Sequence, residues 1–265
     1  MYRIDDVVLW VSKSDEVLKL AKFLAKLFPS ATFHLLAVVP RMRTRFFLTS
    51  LYHEVAKSIA EEALEAVEKE LTRCGIQRVR KVFEKGSPLK VVKMFVEEVS
   101  ADLLGLAVAI EMEVEEIVDS PIPRVLNTVR IPVMVYTALS KVGEVPSSIA
   151  IVSKGRGLGN ALGIALSLAR SGGLDLELFL TTRLSPDELD RLTLFVRSHG
   201  VKLSVDFVEA RREELVANLL HATKIHDLVI VERTVFETRS IFARKKIGEL
   251  ESILVASSHS PILFV

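Results

Sequence analysis

Residues 7–11 (Val-Val-Leu-Trp-Val) form an uninterrupted apolar run that stops at Ser12-Lys13 and gives way to apolar positions at 17, 20, 21, 24, 27 and 28. A short continuous run suits a strand buried on both faces, and the spacing after it sets an apolar stripe along a helix. The same plan returns at Ile149–Val152, Ser153-Lys154 and apolar positions 158, 161, 162, 165, 168 and 169. Each predicted helix leads into a second apolar run, Phe33–Val39 and Leu174–Leu180, which predicts a second strand. The chain therefore reads as a repeat.

The later elements correspond as well. Val55, Ile59, Ala63, Val67 and Leu71 mark a second helix in the first copy, and Ser185-Pro186-Asp187-Glu188 opens its counterpart with a cap, a first-turn proline and a glutamate three after the cap. Third strands are predicted at Arg78–Phe83 and Lys202–Val208. Gly86-Ser87-Pro88 opens a third helix with Val92, Phe95, Val96 and Val99 on one face, and Glu213–Thr223 matches it. Each copy then sets an aspartate before an apolar run, Asp102 and Asp227, and closes on a proline-led strand, from Pro132 to Tyr136 and from Pro261 to Val265. Alternating strands and helices with short turns predict α/β domains, each an open parallel sheet with helices on both faces. Two such domains are expected in tandem, residues 1–138 and 148–265, joined by a linker at 139–147.

In this order the chain resembles the universal stress protein family in its two-domain form. The resemblance rests on the first strand with its small polar ending, the stretch EKGSPLKVVKMFVEEVSADLL from Glu84 to Leu104, and the endings RVLNTVRIPVMVY and ILVASSHSPILFV. It implies the fold shared with adenine nucleotide alpha hydrolase-like domains. In the nucleotide-binding branch of the family, an Asp ends the first strand and a Gly-x2-Gly-x9-Gly-Ser/Thr segment after the fourth wraps the phosphates. Here Ser12 and Ser153 hold the Asp position. Asp119-Ser120 stands where Gly-Ser is implied, and Ala107 to Val118 holds no glycine but four glutamates, Glu111, Glu113, Glu115 and Glu116. In the second copy Gly248 remains, Glu249 replaces the Ser, and Val231 to Lys246 has no glycine, though it carries Arg233, Arg239, Arg244, Lys245 and Lys246. Side chains there keep a backbone from approaching a phosphate, so both inherited ATP sites are expected to be degenerate.

Composition narrows the classes. The 265 residues are 49% hydrophobic, enough for sizeable cores, and 35 basic against 34 acidic residues leave a net charge of +1. That balance gives no global reason to expect nucleic acid or an anionic membrane as partner. A single cysteine, Cys74 beside Gly75 at an expected helix end, excludes an internal disulfide and fits a cytoplasmic protein. No apolar run approaches the roughly 20 residues of a membrane span. Three Asn and one Gln beside abundant Glu, Lys and Arg fit a hot-growing source.

The turn Ser153-Lys-Gly-Arg-Gly-Leu-Gly159 is the candidate for a ligand. A strand breaking into a helix N-terminus at the carboxyl edge of a parallel sheet offers N–H groups to an anion, and Lys154 and Arg156 add charge. It lacks the third glycine of Gly-x-Gly-x-x-Gly and the Lys-Ser/Thr of a P-loop. Two readings stand: Gly155, Gly157 and Gly159 serve a tight turn, or they seat ATP or another nucleotide beside Gly248. Lys13 holds the same place in the first copy, with Asp15 and Glu16 following. The run Arg41-Met-Arg-Thr-Arg45-Phe46-Phe47 is either a solvated loop or a docking segment for a partner, such as a transporter. The six histidines have no metal-ligand spacing, His34 reads as a core residue, and no nucleophile motif is present. A non-enzymatic protein is expected, without metal or certain cofactor, acting through a small ligand or through protein contacts, with a partner or by self-association of the final strands.

Overall fold

The apolar runs are strands, and their continuity reflects burial on both faces: Val7, Val8, Leu9, Ile149, Ala150 and Ile151 are fully buried. The computed structural model describes residues 3–40, 48–108, 117, 120–140, 145–155, 158–168, 174–208, 212–236 and 249–265. It divides into one unit spanning Ile4–Ala138 and another built on Leu139–Val265.

The first unit runs β1 (Asp6–Val11), α1 (Asp15–Leu27), β2 (Thr32–Val39), α2 (Leu48–Arg73), β3 (Val79–Lys85), α3 (Pro88–Glu98), β4 (Leu103–Val108), α4 (Pro121–Thr128) and β5 (Val133–Thr137). Its strands lie in the order β3-β2-β1-β4-β5, with parallel pairing from β3 through β5. The second unit runs β6 (Ser148–Ser153), α5 (Leu158–Leu168), β7 (Asp175–Leu180), α6 (Pro186–Ser198), β8 (Lys202–Phe207), α7 (Arg212–Ile225), β9 (Leu228–Val231), a 3-10 turn at Arg233–Phe236, α8 (Glu249–Ser257) and β10 (Ile262–Phe264). Its order is β10-β9-β6-β7-β8, again parallel throughout. In each unit the first strand lies at the switch point, with the chain winding outward on either side, so a crevice opens at the carboxyl ends of β1 and of β6.

Among the helices, α1 and α5 bury the stripes that the spacing picks out. Val17, Leu20, Ala21 and Leu24 of α1 are buried, as are Leu158, Ala161, Leu162, Ala165 and Leu168 of α5. Their ends carry matching chemistry. Ser185 Oγ accepts from the Glu188 N–H at 3.4 Å while Glu188 accepts from the Ser185 N–H at 2.8 Å, a closed capping box on α6. Gly75, at φ +89°, ends α2, and the Ile76 N–H returns to Leu71 O at 3.0 Å.

Asp102 and Asp227 latch the amino ends of the two sheets. Asp102 Oδ2 accepts from the N–H groups of Asp5 at 2.8 Å and Asp6 at 3.0 Å, fixing the start of β1. Asp227 Oδ2 accepts from Ser147 N–H at 2.9 Å and Oγ at 2.8 Å, and from Ser148 N–H at 3.1 Å. Burial pushes the Asp227 carboxyl up, but the hydrogen bonds from Ser147 and Ser148 together outweigh it and hold it below the ordinary carboxylate value. Beside these latches, buried His34 pairs through Nε2 with Asp6 at 2.8 Å, and His226 with Glu177 at 2.6 Å. His34 is thus a core histidine with a polar partner.

Candidate functional site

The glycine-rich turn lies at the carboxyl end of β6, as its place in the repeat requires. Ser153 is the strand's last residue and is fully buried. Lys154 leaves the strand, and Gly155 adopts φ +90°, a conformation that L side chains rarely adopt. Gly159 lies in the first turn of α5, and a Cβ there would meet nothing within 4 Å. Arg156, Gly157 and Gly248 lie outside the described residues, as do Arg239, Arg244, Lys245 and Lys246.

What occupies the turn is a carboxylate from the same chain. Glu232 follows β9, the neighbour of β6, and is only 4% exposed. Its N–H donates to Val152 O at 2.9 Å, which brings its side chain onto the turn. Oε2 accepts from Ser153 Oγ at 2.5 Å and from the Lys154 N–H at 3.0 Å. The Gly155 N–H donates to Ser153 Oγ at 2.8 Å, and Thr234 Oγ1 donates to Oε1. The Lys154 N–H and the hydroxyls of Ser153 and Thr234 therefore converge on one glutamate, and the Gly155 N–H braces the serine. This is an anion site by its donors, and its anion is built in. Next in the chain, burial pushes the half-buried Arg233 guanidinium down to about 10, so this cation lies partly within the protein.

The sequence offers one sign of Glu232: an acid placed directly after the apolar run Leu228–Val231. Its pairing with Ser153 spans 79 residues, a distance that periodicity does not read.

The equivalent turn of the first unit is built differently. Ser12 is exposed, and Lys13 Nζ pairs with Glu62 Oε2 of α2 at 3.3 Å. Ser12, Lys13, Ser14, Asp15, Leu18 and Glu62 contribute to the lining of a cavity of about 300 Å³ between α1 and α2. Glu16 does not face Lys13 across open solvent but is buried near Tyr136. Burial, with Glu16 adding to it, pushes the Tyr136 hydroxyl up to about 12. Ser120 caps α4, accepting from the Ile122 N–H at 3.2 Å and donating to Ile117 O at 2.7 Å. Asp119 and the four glutamates Glu111, Glu113, Glu115 and Glu116 lie outside the described residues, as does the 41–47 run.

Among the described residues no group of three His, Cys, Asp or Glu side chains is placed to hold a metal ion. Among them, too, no helix is long and apolar enough to cross a membrane.

No protein-family model matches the sequence, and no curated protein matches it. Solved structures do. A universal stress protein from Archaeoglobus fulgidus DSM 4304 superposes with a TM-score of 0.77 at 13% identity, covering 98% of this chain and 95% of that one. A functionally unknown protein from Pseudomonas aeruginosa PAO1 gives 0.59 at 13% identity, over 99% of this chain and 92% of that one. The cytoplasmic domain of a prokaryotic cation chloride cotransporter gives 0.57 at 15% identity, over 99% and 95%. At such identities the likeness is one of fold, and the fold is that of the universal stress proteins in tandem form.

Proposed function

We propose that this chain is a non-enzymatic tandem universal stress-like protein that acts through protein contacts or a small ligand, with conventional ATP binding lost or weakened. The observation that supports this is the Glu232 carboxylate on the turn of the second unit. A triphosphate entering there would have to displace a buried carboxylate from its donors and lie beside its charge, both unfavourable. No residue is assigned a catalytic role. Titration calorimetry of the full chain with ATP, ADP, AMP and cyclic dinucleotides tests the reading. No saturable heat is expected from any of them. Binding that vanishes in Lys154→Ala and Gly157→Val would overturn it in favour of a nucleotide site on Ser153, Lys154, Gly155, Arg156, Gly157 and Gly159.

A second reading takes the chain as a cytoplasmic regulator of a transporter. It is favoured by the likeness, over 99% of the chain, to the cytoplasmic domain of a cotransporter. The basic and aromatic run Arg41–Phe47 would supply the contact. Co-purification from solubilised membranes should then depend on residues 41–47, and equal recovery with and without them would sink this reading.

A further inference from the structure

We propose that β8 is the seat of a homodimer, in which two copies of the chain join their outer strands antiparallel about a two-fold axis at Ser204. This interface is distinct from the final strands and independent of any ligand at the β6 turn.

The backbone fixes which groups are offered. Lys202 N–H donates to Leu174 O at 3.4 Å and Val208 N–H to Leu180 O at 2.9 Å, so the even-numbered residues of β8 turn their backbone groups toward β7. By alternation, Leu203, Val205 and Phe207 turn theirs outward. Among the described residues β7 is the only strand paired to β8, which ends the order of its sheet. An antiparallel partner must match outward groups to outward groups.

The side chains then select the register. With Ser204 on the axis, Leu203 and Val205 of one copy exchange hydrogen bonds with Val205 and Leu203 of the other. Lys202 comes to lie opposite Asp206, twice, in closely spaced non-hydrogen-bonded pairs. Shifting the axis to Leu203 or Val205 also matches the backbone, but either shift leaves both Lys202 and Asp206 without an opposite charge. Lys202, Ser204 and Asp206 are all exposed on one face, and Asp206 has no ion-pair partner among the described residues. Lys202 meets Asp175 at 3.6 Å, but both side chains are largely in water, so this pair holds it weakly. The strand is self-complementary in charge as well as in hydrogen bonding.

The surroundings agree. α6 packs on β8 with only Val196 of its described residues fully buried, while Leu194, Phe195 and the strand's own Phe207 are exposed. β3, which ends the sheet of the first unit, carries Arg80, Lys81 and Lys85 against one acid, Glu84. An excess of like charge guards an edge against pairing with its own copy, and β8 has no such guard.

Sedimentation velocity on the full chain from about 1 to about 500 µM reads the association directly. A reversible monomer–dimer equilibrium is expected. Lys202→Asp and Asp206→Lys should each raise the dissociation constant about tenfold or more, and the double variant should return to within about threefold of wild type. Because Lys202→Asp also faces Asp175, Ser204→Asp serves as a second variant: it lies on the exposed face, and the axis sets it against its own copy. It should dissociate the dimer while circular dichroism stays that of the wild type. A wild type that is monomeric throughout, a dimer untouched by Asp206→Lys or Ser204→Asp, or a charge-swapped double variant no better than the singles would each overturn the proposal.

Discussion

Two carboxylates carry opposite ends of the second unit's sheet. Asp227 closes the amino end on Ser147 and Ser148, and Glu232 closes the carboxyl end on Ser153 and Lys154. The turn residues Ser153, Lys154 and Gly155 could be read from the sequence as a donor cluster, but the acceptor that answers them could not, because it arrives from another strand. Glu232→Ala would strip that acceptor from buried donors and should destabilise the unit by about 1–3 kcal/mol in urea unfolding. An unchanged midpoint would show that water replaces the carboxylate without loss. Asp227 makes a pH-dependent contribution of definite sign. Its folded-state carboxyl is held below the ordinary value near 3.9. The stability it contributes is therefore fully present above that value and is lost as pH falls through the lower folded-state one. Asp227→Asn should be less stable than wild type near about pH 7, and the gap should narrow toward about pH 3. A gap that widens on acidification contradicts the latch.

At the scale of elements, the strands and helix caps were legible because each depends on neighbouring residues. The buried face of α2 was not. Its predicted stripe at 55, 59, 63, 67 and 71 fades from full burial at Leu71 through Val67 at 1% and Ala63 at 8% exposed to Ile59 at 39% and Val55 at 50%. A strict four-residue spacing advances about 40° beyond a full turn at each step, so its early members rotate off the face that the later ones bury. Two glycines also separate by element. Gly105 in β4 would direct a Cβ to 2.9 Å from Leu9 Cδ1 and 3.0 Å from Leu24 Cδ1, both on fully buried residues. Gly105→Val should cost about 1–3 kcal/mol through overpacking. Gly159→Ala, in open space on α5, should stabilise by about 0.4–1 kcal/mol by restricting the unfolded chain. Calorimetric unfolding temperatures should move in opposite directions for the two variants. A drop for Gly159→Ala would mean that this glycine serves something other than the turn.

For the whole molecule, 35 basic and 34 acidic residues leave a formal net charge of +1, so two copies approach without appreciable long-range repulsion. Lys202→Asp exchanges one positive for one negative charge and moves that net charge by two units to −1, equal in magnitude to the starting value. Weaker association of this variant therefore cannot come from the overall charge and must arise at the seam itself. Salt distinguishes the seam further. The Lys202 and Asp206 side chains are exposed, and raising ionic strength from about 0.05 to about 0.5 M shortens the screening length to a few ångströms. Attraction across the wild-type pairs should fade, and repulsion in the Lys202→Asp and Ser204→Asp variants should fade with it. The backbone hydrogen bonds and apolar contacts of Leu203 and Val205 do not depend on screening. Dissociation constants measured along that series should rise for the wild type, fall for the variants and converge at high salt. Parallel salt dependences for all three proteins would place the association somewhere other than β8.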